Sequence, residues 1–225
     1  MTEESPLNPL PPLVVALFLV IIGLDLVFTF GARGLLGGPE AVGWRLGAIQ
    51  DYGFSTDVFR WMLETGRFPT EHMIRFVSYP FVQGSFTSAL FAGVMLLAMG
   101  KFVAEVFRPI AVLTIFLGAS IVGAVLHGIF MVAQPWLIGA FPGVYGLIGA
   151  FTFLLWVRLA GTGASQARAF SLIGMLMALQ LIFGVLFGTD GMWLAELGGF
   201  FAGFALSFVL APGGWSRVLE RLRGR

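Results

Sequence analysis

The stretch GAFPGVYGLIGAF, from Gly139 to Phe151, lies within a long apolar chain and decides how its helices pack. In a helix, Gly139, Gly143, Gly146 and Ala150 point to nearly the same side, because side chains repeat about every 3.6 residues. Helices in lipid approach closely only where small residues meet, since no hydrophobic effect drives them together there. The stretch therefore predicts a membrane helix with one face packed tightly against a neighbour.

A second pair of glycines supplies a partner for this face. Gly199 and Gly203 form the pattern GxxxG within ELGGFFAGF, in the last apolar segment. The pattern is typical of helices that pack closely in membranes. We expect the two glycine faces to contact each other. By itself, the pattern indicates helix packing and no particular function.

The composition identifies an integral membrane protein. Of the 225 residues, 58% are hydrophobic and only 11% are charged, whereas soluble domains carry about 25% charged residues. The net charge of +1 and the lack of a basic stripe with interleaved aromatic residues argue against a nucleic-acid partner. The chain has no cysteine and only two histidines, so we expect no metal site and no cofactor.

Six apolar segments come close to the length of about 20 residues that a helix needs to cross the hydrocarbon. They define a membrane domain over residues 13–211, with an N-terminal segment at 1–12, a basic tail at 212–225 and one long connection at about 32–80. The N-terminal segment lacks a basic region, which argues against a cleaved signal peptide. The predicted spans are Leu13–Gly31, Phe81–Met99, Ile110–Val132, Phe141–Leu159, Phe170–Phe187 and Met192–Leu210.

Basic residues set the expected orientation, because short cytoplasmic loops are enriched in Lys and Arg. An even number of spans places both termini on one side. We expect that side to be the cytoplasm, the long connection to be extracytoplasmic and the membrane to be a bacterial inner membrane. The side of the termini carries Lys101, Arg108, Arg158, Arg168, Arg217, Arg221, Arg223 and Arg225, and the long loop carries Arg33, Arg45, Arg60, Arg67 and Arg75.

The long loop is predicted to contain short helices. Ser55 can cap one helix that Gly66 ends, and Thr70 can cap a further turn. Apolar residues at helical spacing give the first helix one apolar face, formed by Val58, Trp61 and Met62. This face fits an interfacial platform lying on the membrane and equally a packed extracellular cap, and both interpretations stay open.

Four segments carry a family resemblance when they are taken together. Gly43-Trp44-Arg45 lies in the long loop, RFVSYPFVQGSFTSALFAG leads into the second span, and AELGGFFAGF lies in the sixth. In the fourth span, Tyr145 stands four residues after Phe141. These segments resemble the rhomboid family of intramembrane serine proteases, whose fourth, second and sixth spans carry G-x-S-G, H-G-S-x-x-H-x-x-x-N and A-H-x-G-G-x-x-x-G. The resemblance implies an all-α membrane protein, a rhomboid-like bundle of six transmembrane helices whose long first extracytoplasmic loop carries short helices.

The resemblance also implies a catalytic Ser-His dyad, but other residues occupy its positions. The serine position holds Phe141, which has no nucleophilic atom, and the histidine position holds Glu196. Pro142, which with Tyr145 would line the former site, has no N–H to donate to an oxyanion.

The oxyanion-binding positions of the second span are replaced as well. The family's His and Asn correspond to Ser88 and Ala92, and its earlier His corresponds to Gln83. Four roles are lost together, so we expect no catalytic residue at the family positions. The predicted function is that of a pseudoprotease, a binder of transmembrane client segments whose other partner is the lipid bilayer; its oligomeric state is not predicted.

Two other functions stay open. An intramembrane serine endopeptidase with a non-standard site would need a substitute nucleophile and base, for which Ser88 and His127 are the candidate pair. A small transporter would need paired broken helices and an inverted internal repeat, and the sequence shows no such repeat.

Three ionisable residues are expected at or near membrane depth, where charge is costly. Asp25 has no partner that the sequence identifies, and His127 is interpreted as a neutral, hydrogen-bonded core residue. Two interpretations of Glu196 stay open. In one, it serves a client helix, as a polar contact or as a proton-linked switch; in the other, it forms a hydrogen bond to Tyr145 or to water near the interface.

Overall fold

The computed structural model of the protein describes residues 10–131, 135–187 and 191–212. The predicted N-terminal segment lies outside the described residues up to residue 9, and the basic tail lies outside them from residue 213 onward. The described ranges are almost entirely helical, with three short 3-10 helices and one two-stranded sheet. The α-helices are α1 (Pro12–Ala32), α2 (Trp44–Tyr52), α3 (Thr56–Thr65), α4 (Thr70–Met73), α5 (Arg75–Ser78), α6 (Phe86–Ala104), α7 (Pro109–Phe130), α8 (Phe141–Thr162), α9 (Ser171–Phe187) and α10 (Trp193–Leu210).

Five of these helices are long and apolar enough to cross a membrane: α1, α6, α7, α8 and α10. The fifth predicted span, Phe170–Phe187, corresponds to α9, which is apolar but, with 17 residues, shorter than these five. The predicted all-α membrane fold is confirmed, and the protein is a multi-pass membrane protein. We call the end of the bundle that carries residues 33–85 the loop end.

The second span begins five residues later than predicted and ends five residues later, at Ala104. The sequence placed it at Phe81–Met99, but Tyr79–Phe81 forms a separate 3-10 helix. The Ser85 hydroxyl then accepts a hydrogen bond from the Ser88 amide at 3.2 Å and caps α6. The hydrophobic run therefore begins before the helix, because apolar residues also line the buried turn that precedes it.

Helix α3, the loop helix that the sequence placed between Ser55 and Gly66, has the predicted ends. The Ser55 hydroxyl accepts from the Val58 amide at 3.3 Å, and Gly66 ends α3 with a left-handed φ of 66°. The predicted second cap was wrong, because α4 starts at Thr70 itself and Pro69 is its N-cap, without a side-chain bond.

The apolar face predicted for α3 coincides with the packed face at Val58 and Met62 but not at Trp61. Phe59 and Met62 are buried, whereas Trp61 is exposed and Val58 is half-buried. A Cβ added at Gly128 of α7 would overlap the Phe59 ring, so α3 lies directly on the end of α7. The face that packs on α7 is therefore the one that carries Phe59 and Met62.

The long loop has a packed inner side and an apolar outer side. Its inner side forms a small core with Phe54, Phe76 and Tyr79, and β1 (Phe54–Ser55) pairs antiparallel with β2 (Trp136–Leu137) just before α8. Its outer side exposes large apolar residues, among them Leu35, Val42, Leu46, Leu63 and Phe68. The loop therefore combines the packed interior of a cap with the apolar surface of an interfacial platform.

Helix α8 is the centre of the bundle. Residues 142–150 are all buried, and α8 packs against α10, α7 and α6. Because α8 is enclosed in this way, three other helices can contact its first turn at the loop end.

Candidate functional site

The candidate site lies where α8 begins. Gly139 has a left-handed φ of 95°, and its amide donates to the Tyr79 carbonyl at 3.1 Å. Phe141 and Pro142 form the first turn, where the absent N–H of proline costs no helical hydrogen bond. The Phe141 ring is half-buried and packs against the main core. A backbone hydrogen bond from Gly139 thus holds the start of α8, and the Phe141 ring covers its first turn.

The glycines of α8 and α10 bring the two backbones into direct contact. A Cβ at Gly203 would overlap the Gly146 carbonyl, and a Cβ at Gly199 would overlap the Pro142 carbonyl. Gly149 meets the Phe200 carbonyl in the same way. Such close approach is what small residues permit between membrane helices.

Three glycines of the predicted packing set point elsewhere, and a Cβ at one of them, Gly146, would overlap Ala119 Cβ of α7. A Cβ at Gly143 would lie 2.6 Å from the Phe116 ring and 2.8 Å from Ser120 Oγ, both on α7. Gly139 precedes the helix, and a Cβ there would lie 3.2 Å from Gln83 Oε1. The stripe therefore serves three contacts instead of one, because α8 is surrounded by neighbours and has no single packing face.

Glu196 and Tyr145 lie close to each other between α10 and α8. Both residues are buried, and the Glu196 carboxylate lies within electrostatic range of the Tyr145 phenol. Glu196 stands in the first turn of α10, where the helix dipole favours an acid. A Cβ at Gly123 of α7 would lie 3.0 Å from Pro142 Cβ and 2.6 Å from the Ala195 carbonyl oxygen, so three helices meet beside this pair.

The residues at the positions that the resemblance assigns to oxyanion binding lie along α6 and the segment before it. Gln83 is completely buried, and its Nε2 donates to the Pro80 carbonyl at 2.9 Å. Ala92 is buried in the main core, and Ser88 is half-buried in the first turn of α6. Of these three residues, Gln83 is the one placed beside Gly139 at the entrance to α8.

The candidate substitute pair lies on two helices that pack mainly on other partners. Ser88 is on α6, which packs chiefly against α1 and α8, and His127 is buried in the last turn of α7. The Ser88 amide donates to the Ser85 hydroxyl at 3.2 Å, which holds Ser88 in the N-terminal cap of α6. Within the described ranges, no group of three or more His, Cys, Asp or Glu side chains is arranged to hold a metal ion.

Tyr79 fixes the loop to the bundle at this point. Its hydroxyl donates to the Ser120 carbonyl of α7 at 2.7 Å. Burial raises the pKa of the Tyr79 phenol well above its ordinary value, so the hydroxyl remains a hydrogen-bond donor. Because the Tyr79 carbonyl also receives the Gly139 amide, this residue links α7 to the start of α8.

The sequence missed the ion pair that joins α1 to the loop. Arg45 Nη1 lies 2.5 Å from Asp25 Oδ1 and 2.6 Å from the Gln83 carbonyl oxygen, to which it also donates. Thr29 Oγ1 donates to Asp25 Oδ2 at 3.1 Å and accepts from Arg45 Nη2 at 3.0 Å. The available signal was an acid in the first span together with an arginine in the loop that follows it. This network holds α1, α2 and the segment before α6 together.

The first turn of α8 carries no nucleophilic side chain. Phe141 has no hydroxyl, and Pro142 cannot donate from its backbone nitrogen. Tyr145 has a hydroxyl, but it is buried against Glu196 within the bundle. The geometry is that of a tightly packed helix junction.

A family model described as the Rhomboid domain matches residues 70–213. The match runs from α4 to the end of α10 and covers more than half of the chain. No curated protein sequence matches the chain. The matched region contains three of the four segments that resembled that family, and Gly43-Trp44-Arg45 lies before it. The chain therefore belongs to the rhomboid family.

Proposed function

We propose that this rhomboid-family protein is a catalytically inactive member that binds transmembrane segments of client proteins. The observation that carries the proposal is the start of α8. Phe141 and Pro142 stand there, where a protease of this family requires a hydroxyl and a backbone donor. A phenyl ring cannot supply a nucleophile, and the Glu196 carboxylate has no serine at that position to activate.

The packing around Pro142 supports this proposal. Its carbonyl lies against Gly199 and its ring against Gly123, so its backbone is enclosed by α10 and α7. Moving this turn to admit a substrate carbonyl would separate three helices. The turn acts as a structural junction, and binding has to occur on another surface.

A client helix is proposed to dock beside α6 and α9. Phe91 on α6 is 63% exposed and Met175 on α9 is 73% exposed. Helix α9 places Ile173 in the main core, and on the described part of its other side Met175 and Leu179 are exposed. A client with small or polar residues could find backbone and side-chain partners there.

A reconstitution experiment tests the absence of catalysis. Purified protein is incubated in proteoliposomes with a transmembrane substrate and, separately, with a fluorophosphonate probe. We expect neither cleavage nor labelling by the native protein. The variant that combines Phe141→Ser with Glu196→His is compared, with Ser88→Ala as the control for the alternative dyad. Cleavage by the native protein that the double variant does not improve, or labelling that Ser88→Ala abolishes, would contradict the proposal and favour the protease alternative.

A photocrosslinking experiment tests the client surface. A photoreactive amino acid replaces Phe91 on α6, and a matched variant carries it at Leu19, which is exposed on α1. We expect discrete crosslinks to transmembrane segments of other proteins from position 91 and not from position 19. Equal crosslinking from both positions would indicate nonspecific contact within the bilayer.

We also propose that both termini are cytoplasmic and that the loop end faces away from the cytoplasm, in a bacterial inner membrane. The chain has no cysteine, so single cysteines can be introduced without background. Glu64→Cys, on the long loop, is expected to react with a membrane-impermeant maleimide in intact cells. Ser165→Cys, between α8 and α9, is expected to react only after the membrane is opened. The reverse pattern would refute the orientation.

A further inference from the structure

A groove lies at the loop end between α1 and α2. Its volume is about 950 Å³, which falls within the range of about 300–1,000 Å³ for small-molecule sites. Val20, Leu24 and Phe28 form one wall along α1, and Trp44 and Ala48 form the other wall on α2. At about 1.5 Å per residue, the α1 wall runs about 12 Å along the helix.

The groove is a built feature, because its α2 wall is fixed at two places. The Trp44 ring lies against Gly31 and Gly37; a Cβ at Gly31 would lie 3.2 Å from Trp44 Cε3. The next residue, Arg45, forms the ion pair with Asp25 of α1. Helix α2 therefore cannot move away from α1 without loss of that pair, and the opening between them is present before any ligand binds.

The charges of the groove all have one sign. Glu40 and Asp51 are among its lining residues, and both are exposed. Neither carboxylate has an ion-pair partner among the described residues, and no Lys or Arg of that part of the chain lines the groove. The nearby Arg45 is engaged with Asp25. An apolar floor beneath uncompensated carboxylates complements an amphiphile with a cationic end.

We propose that this groove binds a membrane lipid whose headgroup ends in an ammonium group. The acyl chain lies along the α1 wall, and the ammonium group lies between Glu40 and Asp51. The Tyr52 hydroxyl, which also lines the groove, can donate to the lipid phosphate. A transmembrane helix of about 10–12 Å diameter would take up about 940–1,360 Å³ along this wall, so it would fill or exceed the whole groove, whereas a single acyl chain is much thinner. Lipids with a net negative headgroup are disfavoured by the two carboxylates. This site is separate from the client surface on α6 and α9.

Native mass spectrometry of the purified protein tests the site. Phosphatidylethanolamine and phosphatidylglycerol with identical acyl chains are added in equal amounts. We expect the native protein to retain phosphatidylethanolamine with about fivefold preference, the equivalent of about 1 kcal/mol for one charge interaction near a membrane surface. Glu40→Gln combined with Asp51→Asn should abolish the preference. The matched control, Glu64→Gln with Glu71→Gln, changes two exposed loop carboxylates outside the groove and should preserve it.

A second variant tests the groove itself. Ala48→Phe fills the space between the two walls of the groove without changing its charge. It should therefore lower the retention of both lipids, because both need that space for an acyl chain. Equal retention of the two lipids by the native protein, or a preference that persists after the carboxylates are neutralised, would overturn the proposal. It would also be overturned if a lysine-flanked transmembrane peptide, but neither lipid, competed for the groove.

Discussion

The Asp25–Arg45 pair leads to a prediction that can be worked out from the structure. The side chain of Asp25 is 0% exposed and that of Arg45 is 19% exposed. Removing one partner of a buried ion pair costs about 3–5 kcal/mol, because the remaining charge is left without compensation. We expect Arg45→Met to fall in this range, since it leaves the fully buried carboxylate with the Thr29 hydroxyl alone.

The opposite substitution should cost less. Asp25→Leu leaves a guanidinium that is partly solvated and still donates to the Gln83 carbonyl and the Thr29 hydroxyl. A lost hydrogen bond to a charged group costs about 1.5–3 kcal/mol. Replacing both partners by apolar side chains of similar volume is often close to neutral. The double variant is therefore expected to be more stable than Arg45→Met alone.

Thermal unfolding in detergent measures these differences. For a chain of this size, about 1 kcal/mol corresponds to about 2–4 °C in the midpoint, so Arg45→Met should lower it by about 6–20 °C. Arg60→Met, which removes an arginine elsewhere in the loop, is the control and should change the midpoint little. A loss below about 1 kcal/mol for Arg45→Met, or strictly additive effects in the double variant, would refute the reasoning.

Three further predictions concern packing, a hydrogen bond and a cap. Gly203→Val should destabilise the fold by more than the 1–3 kcal/mol typical of overpacking, because the added atoms would meet the Gly146 backbone; an unchanged midpoint would contradict the backbone contact. Tyr79→Phe should cost about 1 kcal/mol through the lost bond to Ser120. Burial raises the pKa of the Tyr79 phenol in the folded state, so the contribution of this phenol to stability is complete below the ordinary tyrosine pKa of about 10 and is lost as the pH rises above it. Tyr79→Phe should therefore lose less stability at alkaline pH than the native protein, as measured by pH-dependent unfolding. Ser55→Ala should cost about 0.5–2 kcal/mol by removing the cap of α3, measured by unfolding, and Ser55→Asn should restore most of it.

The first turn of α8, with Phe141 and Pro142, is part of a tightly packed helix junction. A protease needs a turn whose first residues can present a hydroxyl and donors to a substrate. Here the Pro142 carbonyl contacts Gly199, and the Phe141 ring joins the main core. Both residues of this turn therefore contribute to helix packing.

The membrane class and the order of the spans followed from the sequence because both depend on local properties. The length of an apolar run decides whether a helix can cross a bilayer, and Ser55 and Gly66 mark the ends of a helix through local bonds. Where apolar residues also lined a buried turn, as at Tyr79–Phe81, the same signal misplaced the start of α6.

The outcome at Asp25 shows what the sequence does not contain. An isolated acid in an apolar span indicates that a partner exists, but Arg45 could be identified only after the loop folded back onto α1. The same holds for the glycines, since hydrophobic and small residues mark α8 all around and only packing assigns Gly143 to α7 and Gly149 to α10. Sequence by itself determined the membrane helices and the family motifs, because these are matters of residue type and spacing. Tertiary structure alone decided which helices meet, where buried charges are compensated and where a groove opens, because those depend on contacts between residues far apart in the chain.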